Sequence, residues 1–196
     1  MRDPERTKNL IVNKAISIFN TKGYRATSLS DITKATGLTK GAIYGHFRSK
    51  DDVAESSFIY AIQKIMGQLR TVISNAPSAP EKLKAILEYY ANYIQKPPIE
   101  GGCPVINTSV EADDDHPKLR AQVIRFIGVF KDSLKKIMYR GIKEGQIKAE
   151  TNIEEFAMLY YAALEGAILQ SRIEGDTDTY GIVMRRLYKD IDAISA

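Results

Sequence analysis

Apolar residues recur at three- and four-residue intervals along nearly the whole chain, and nowhere do they alternate with the period of two that a half-buried strand needs. That pattern confines the fold to packed helices. Capping residues and Pro or Gly mark where each helix begins and ends. Asp3 stands before Pro4, a good first-turn residue because its missing N–H would be unpaired there anyway. Leu10, Ile11, Ala15, Ile18 and Phe19 then share a face, and Lys22-Gly23 is the stop. Ser28, with Asp31 three residues on, is a capping-box-like start for a short helix with Leu29, Ile32 and Ala35 on one face. Gly37 ends it, since glycine tolerates the left-handed backbone of a tight turn. Thr39 caps the next helix, which carries Ile43 and Phe47 inward. Ser49 and Asp52 open a long one with Val53, Phe58, Ile62, Ile65, Met66, Leu69 and Ile73 on its apolar side.

Beyond the Pro-punctuated stretch 74–80, the spacing predicts helix from Glu81 to Gln95, then a loop over 96–102. A short helix is predicted from Cys103-Pro104 to before His116-Pro117, and a long one follows, closed by Gly145. Asn152 caps an eighth helix and a last one starts near Asp178. The expectation is therefore an all-α chain of about nine helices, divided near residue 50 into a small head (1–50) and a larger helical body (51–196).

No run approaches the roughly 18–20 apolar residues of a membrane span. The opening MRDPERTKNL is charged, without the apolar region of a signal peptide. The single Cys excludes an intramolecular disulfide. Together these features predict a cytoplasmic protein with no membrane partner. Charge is uneven: residues 1–50 carry 10 Lys/Arg against 3 Asp/Glu, whereas the rest carries 18 against 21. A basic head on a near-neutral body suits a polyanion, although charge alone is equally consistent with a solvated basic surface.

Two short helices joined by a Gly-containing turn in that head describe a helix-turn-helix. Ile32, Ala35, Leu38, Ile43 and Phe47 are the expected interior. Thr39, Lys40, Gly41, Ala42, Tyr44, Gly45 and His46 face outward on the second helix. Gly41 and Ala42 remove bulk at its leading end, so the helix can enter a major groove. Tyr44 and His46 offer a hydroxyl and an imidazole to phosphate oxygens, with Arg48 and Lys50 adding charge beside them. Ser28, at the start of the preceding helix, completes the candidate DNA-binding set.

The stretch ATSLSDITKATGLTKGAIYGHFRSKDDVAES resembles the DNA-binding signature of the TetR family of bacterial repressors. It matches at Ser28, Ile32, Ala35, Gly37, Gly41, Ile43, Tyr44, His46, Phe47, Ser49 and Lys50. The likeness covers about the first quarter of the chain. Thr33 replaces the usual Ala, Leu38-Thr39 replaces Val-Ser, and Gly45 stands where many members carry a large side chain. The resemblance implies an all-helical homodimer that binds a palindromic double-stranded operator. It further implies a carboxy-terminal domain that takes a small molecule and dimerises through the last two helices, here 153–173 and the final helix. Ala162, Ala163, Gly166 and Ala167 permit close helix approach there, although internal packing would use them equally.

For the effector pocket the candidates are Phe58, Ile62, Met66, Tyr90, Tyr93, Phe126, Phe130 and Tyr161. Aromatics with a polar tip suit a pocket wall, and they suit a core or an interface as well. No cofactor or metal is expected. The carboxylates Glu111, Asp113, Asp114 and Asp115 with His116 point in different directions along a helix end and read as a solvated acidic turn. Cys103 reads as a thiol sensor or a small buried hydrophobe, the latter favoured because no Lys, Arg or His neighbours it in sequence to lower its pKa, and segment 101–117 reads as a loop and short helix over the core. With two His and one Cys, an enzyme has few nucleophiles or bases to draw on. A DNA-binding helical protein without an effector is the alternative, against which the length of the second domain argues.

Overall fold

A computed structural model describes residues 3–196 and, within them, all side chains except those of 113–115. Among the described residues the chain forms nine α-helices: α1 Pro4–Lys22, α2 Leu29–Thr36, α3 Lys40–Tyr44, α4 Lys50–Asn75, α5 Ala79–Gln95, α6 Pro104–Asp115, α7 Pro117–Lys143, α8 Ile153–Glu174 and α9 Asp178–Ile194. The helical pattern is thus realised throughout. The start of α5 lies before Glu81 because Ser78 is its cap, its Oγ accepting from the Glu81 N–H at 3.4 Å, with Pro80 in the first turn.

The chain divides into two compact units. The first comprises residues up to Ile65 together with Pro98–Arg125, and the second Met66–Pro97 with Phe126–Ala196. In the first, the caps read from sequence form as expected. Asp3 accepts from the Glu5 and Arg6 N–H groups. Ser28 and Asp31 cap each other reciprocally, at 2.8 and 3.2 Å. Gly37 closes α2 at φ 70°, and Thr39 Oγ1 accepts from the Ala42 N–H at 3.2 Å. Ile11, Ile16, Phe19, Ile32, Ile43 and Phe47 are buried. Ala35, expected inside, is exposed: α2 is only eight residues long, and its buried position is Ile32 alone.

Segment 98–116 packs on α1 through a polar lock. Asn20, near the end of α1 and only 7% exposed, donates through Nδ2 to the carbonyls of Glu100 (2.8 Å) and Gly102 (2.9 Å). Asn107 on α6 donates in return to the carbonyl and side-chain oxygens of Asn20 (3.0 and 2.8 Å) and to Gly101 O at 2.9 Å. Gly101 sits at φ 94°, and a Cβ there would stand 2.6 Å from Asn20 O, so only glycine fits so close an approach. Glu111, one turn further along α6, accepts from the Tyr24 N–H in the α1–α2 turn. The segment expected to lie over the core is in this way fastened to the head. Cys103 is buried at the start of α6. The side chains of Asp113, Asp114 and Asp115, part of the acidic run considered above, lie outside the described residues.

In the second unit α5, α8 and α9 pack together. Buried hydroxyls tie them: Tyr160 donates to Leu83 O at 2.7 Å, Tyr180 donates to Leu87 O, and Ser171 Oγ accepts from the Tyr180 N–H at 3.0 Å. Each phenol is buried against a carbonyl, and that desolvation raises the pKa of both. The opposite faces of α8 and α9 leave Met158, Leu159, Ile173 and Ile182 in solvent, Ile173 at 75% and Ile182 at 60% exposure.

Candidate nucleic-acid interface

The sequence from Thr39 to Gly45 becomes a single short helical ridge because its two apolar residues are sunk. Ile43 and, just past the ridge, Phe47 are buried, while Thr39, Lys40, Gly41, Tyr44 and Gly45 are exposed and Ala42 is half-buried. Tyr44 is 51% exposed. Lys40 makes no ion pair among the described residues, and neither does Lys34 on α2, which is also exposed. Lys22 is spoken for by Asp31 at 2.6 Å, and Arg48 by Asp52 at 3.4 Å. The ridge therefore presents an unneutralised ammonium, a phenol and two positions without side chains.

Those two positions are instructive. A Cβ on Gly41 would meet nothing nearer than Thr39 Oγ1 at 4.0 Å. A Cβ on Gly45, whose φ is −68°, would meet only Ala42 O and Gly41 O at 3.5 Å, an ordinary contact. Nothing inside the head requires glycine at either site, yet glycine costs a helix about 1 kcal/mol relative to alanine. Both positions leave the exposed side of α3 without bulk.

The other candidates fall differently. Ser28 is exposed, but its hydroxyl is occupied by capping, donating to Asp31 Oδ2 at 2.6 Å. The Lys22 ammonium, ahead of the Ser28 hydrogen bonds, holds the Asp31 carboxyl well below the usual carboxylate range. His46 is half-buried just beyond α3. Lys50 turns inward: its Nζ donates to Tyr24 O at 2.9 Å and Thr27 O at 3.0 Å and lies 4.2 Å from the Tyr24 ring centroid. Tyr24 also donates its hydroxyl to Asp51 and packs edge-on against His116 at 4.0 Å. Burial comes first, and the Asp51 contact second, in pushing that phenol far above its ordinary value. Tyr24 thus joins the α1–α2 turn to the start of α4 and the end of α6. Sequence reasoning missed it, and its only local signal is an aromatic following a helix-ending glycine.

Of the effector-pocket candidates, five are gathered in the second unit. Tyr90 meets Tyr93 at 5.4 Å and Phe130 at 6.3 Å, and Phe130 meets Phe126 at 6.0 Å and Tyr161 at 5.4 Å. Met66 belongs to that unit as well. Phe58 and Ile62 lie in the first unit, where Phe58 borders a cavity of about 20 Å³ beside Phe19, Tyr24 and Glu111, room for one water.

The profile of bacterial regulatory proteins of the tetR family matches residues 11–56, and that of the tetracyclin repressor-like C-terminal domain matches 79–187. The chain belongs to the TetR family. A TetR transcriptional regulator from Chloroflexus aurantiacus superposes with a TM-score of 0.94 at 33% identity, covering 100% of this chain and 98% of that one. The HTH-type transcriptional repressor DhaR of Mycobacterium sp. (strain GP1) is 26% identical over 84% of this chain and 81% of its own length. A cysteine mutant of the TetR-family regulator CifR, solved with a 26-base-pair operator, shares the fold at a TM-score of 0.84 and 22% identity over 92% of this chain and 94% of that one. This TetR-family chain is accordingly a helix-turn-helix DNA-binding transcriptional regulator, in a family of regulators rather than enzymes. No helix among its described residues is long and apolar enough to cross a membrane.

Proposed function

We propose that the protein is a ligand-responsive repressor that binds a palindromic operator in the cytoplasm as a homodimer and is released by a small molecule. The observation that carries the reading is the sidedness of α3, which sinks Ile43 while leaving Lys40, Gly41, Tyr44 and Gly45 open. Residues 1–50 would form the DNA-binding head and 51–196 the ligand-binding and dimerisation domain. Thr39, Lys40, Gly41, Ala42, Tyr44, Gly45 and His46 would enter or border the major groove, with Ser28 and Lys50 at the phosphate margins. Lys40, at the leading end, is suited to guanine O6 and N7. In a dimer the two α3 helices must reach successive grooves about 34–36 Å apart, or a multiple of that.

The solvent-facing Met158, Leu159 and Ile173 of α8 and Ile182 of α9 support the dimer, since such side chains favour burial against a second copy. The effector would be taken by the aromatic group of Tyr90, Tyr93, Phe126, Phe130 and Tyr161, and it would act by favouring a form that does not fit DNA. Moving a 1:99 balance to 99:1 needs about 10⁴-fold preference between the two forms. Selection of bound DNA from a random pool, followed by a compound screen for release, tests the whole reading. A palindromic site should emerge, and Lys40→Ala should cost about 1–3 kcal/mol on it while relaxing preference at one base pair per half-site. No enrichment of any sequence, or unchanged base preference in Lys40→Ala, would refute it.

A further inference from the structure

A cleft of about 440 Å³ opens in the second compact unit, where the end of α4, the start of α5, the last turns of α7 and the turn after them converge. Ile73, Ala79 and Ile137 make an apolar floor, while Lys82, Lys136 and Arg140 stand around it with a single acid, Glu144. That acid is already occupied. Arg140 Nε donates to Glu144 Oε1 at 2.6 Å, and this contact, before any other, holds the carboxyl below its usual range. The side chains of Lys82 and Lys136 make no hydrogen bond or ion pair among the described residues, although Lys82 stands near enough to Glu144 to help hold its carboxyl down, so the N–H groups of both ammoniums remain open to a ligand.

The walls are fixed rather than fluid. Gln146 Oε1 accepts from the Ala79 N–H at 2.7 Å, tying the turn after α7 to the first residue of α5. Gly141 of α7 is buried so closely that a Cβ on it would lie 2.6 Å from the Ala79 Cβ. The volume lies within the roughly 300–1,000 Å³ typical of small-molecule sites. A wholly polar ion would leave the floor without a partner, a neutral apolar molecule would leave the ammonium groups so, and a cation would be repelled.

We propose that this cleft binds a small amphipathic carboxylate, its apolar body on Ile73, Ala79 and Ile137 and its charge between Lys82 and Lys136. The site shares no residue with the aromatic group assigned to the effector, which makes it a second small-molecule site, independent of that reading and of DNA. Titration calorimetry on the full chain tests it with 2-naphthoate and, as the charge-reversed match, 2-naphthylmethylammonium. The carboxylate should bind saturably and the ammonium should not. Lys82→Gln combined with Lys136→Gln should weaken the carboxylate by roughly fivefold to twentyfold, the sum of one half-buried and one exposed charge contact, with an unchanged melting temperature. Phe130→Leu, in the aromatic group, should leave the affinity unaltered. Equal affinity in the double variant, equal binding of the ammonium, absence of saturable binding, or loss confined to Phe130→Leu would each overturn the assignment.

Discussion

Replacing Asn20 by Asp changes one atom of the α1–α6 lock and reverses what that atom can do. In the protein, Asn20 Nδ2 donates to two backbone carbonyls at 2.8 and 2.9 Å while Oδ1 accepts from Asn107 at 2.8 Å. The introduced carboxylate would aim an acceptor at two acceptors. Two hydrogen bonds are lost, each worth about 1 kcal/mol, and the carbonyls of Glu100 and Gly102 are left short of a donor in a site where Asn20 is 7% exposed. Adding the cost of a charge facing carbonyl oxygens gives about 3–5 kcal/mol of destabilisation at neutral pH. Asn20→Ala, which removes the donors without adding charge, should cost about 2–3 kcal/mol. Burial and the facing carbonyls raise the pKa of the introduced carboxyl in the folded state, because its protonated form can donate to one of them. The penalty of Asn20→Asp therefore shrinks as pH falls and grows as pH rises through that raised value. Denaturant unfolding followed by circular dichroism at several pH values measures this, with hydrogen exchange over 98–111 locating the loosening. If Asn20→Asp costs less than about 1 kcal/mol at neutral pH, or its penalty does not change with pH, the lock does not hold the segment as argued.

Three further outcomes follow from the head. Gly45→Ala should raise stability by about 0.5–1 kcal/mol, because its Cβ meets only ordinary contacts, and yet weaken operator binding; melting curves and DNA titrations read the two signs separately. Lys50→Ala removes the donor to Tyr24 O and Thr27 O and should cost about 1–2 kcal/mol of stability. Through the one N–H that those carbonyls leave for a phosphate, it should also weaken all DNA sequences alike, so altered base preference would contradict its placement. Asp31 has its folded pKa lowered from 3.8, chiefly by Lys22. Its contribution is complete above that value and is lost as pH falls towards the lowered one, so Asp31→Asn should differ from the parent most near neutrality and least in strong acid. A constant difference across an acid titration would count against the pair.

What could be read from the sequence was what is local. The caps at Ser28, Thr39 and Asn152 each involve a partner three residues away, and the helical period spans only a few turns, so both are written in short stretches of chain. The outward set on α3 followed from the same period. Ala35 was misplaced because a period says which face a residue shares, not how far the neighbouring helix extends to cover it. The inward contacts of Lys50 were not legible, because the carbonyls that take two of its N–H groups, 23 and 26 positions away, belong to a turn whose path no local pattern fixes. Asn20 and Asn107 are 87 positions apart and polar, and burial of an amide pair leaves no hydrophobic signature. The basic cleft likewise assembles from the ends of helices, where periodicity stops.

The lock also bears on how such regulators can be recombined. Half of it, Asn20, lies within the first 50 residues, while Gly101, Asn107 and Glu111 arrive from the other side of α4 and α5. A chimaera that exchanges residues 1–50 between two relatives would therefore cut through a buried hydrogen-bonded set and pair each half with a stranger. Transplanting the head with its specificity intact requires carrying 98–111 along with it, or choosing a recipient that already has an amide at 107 and a glycine at 101.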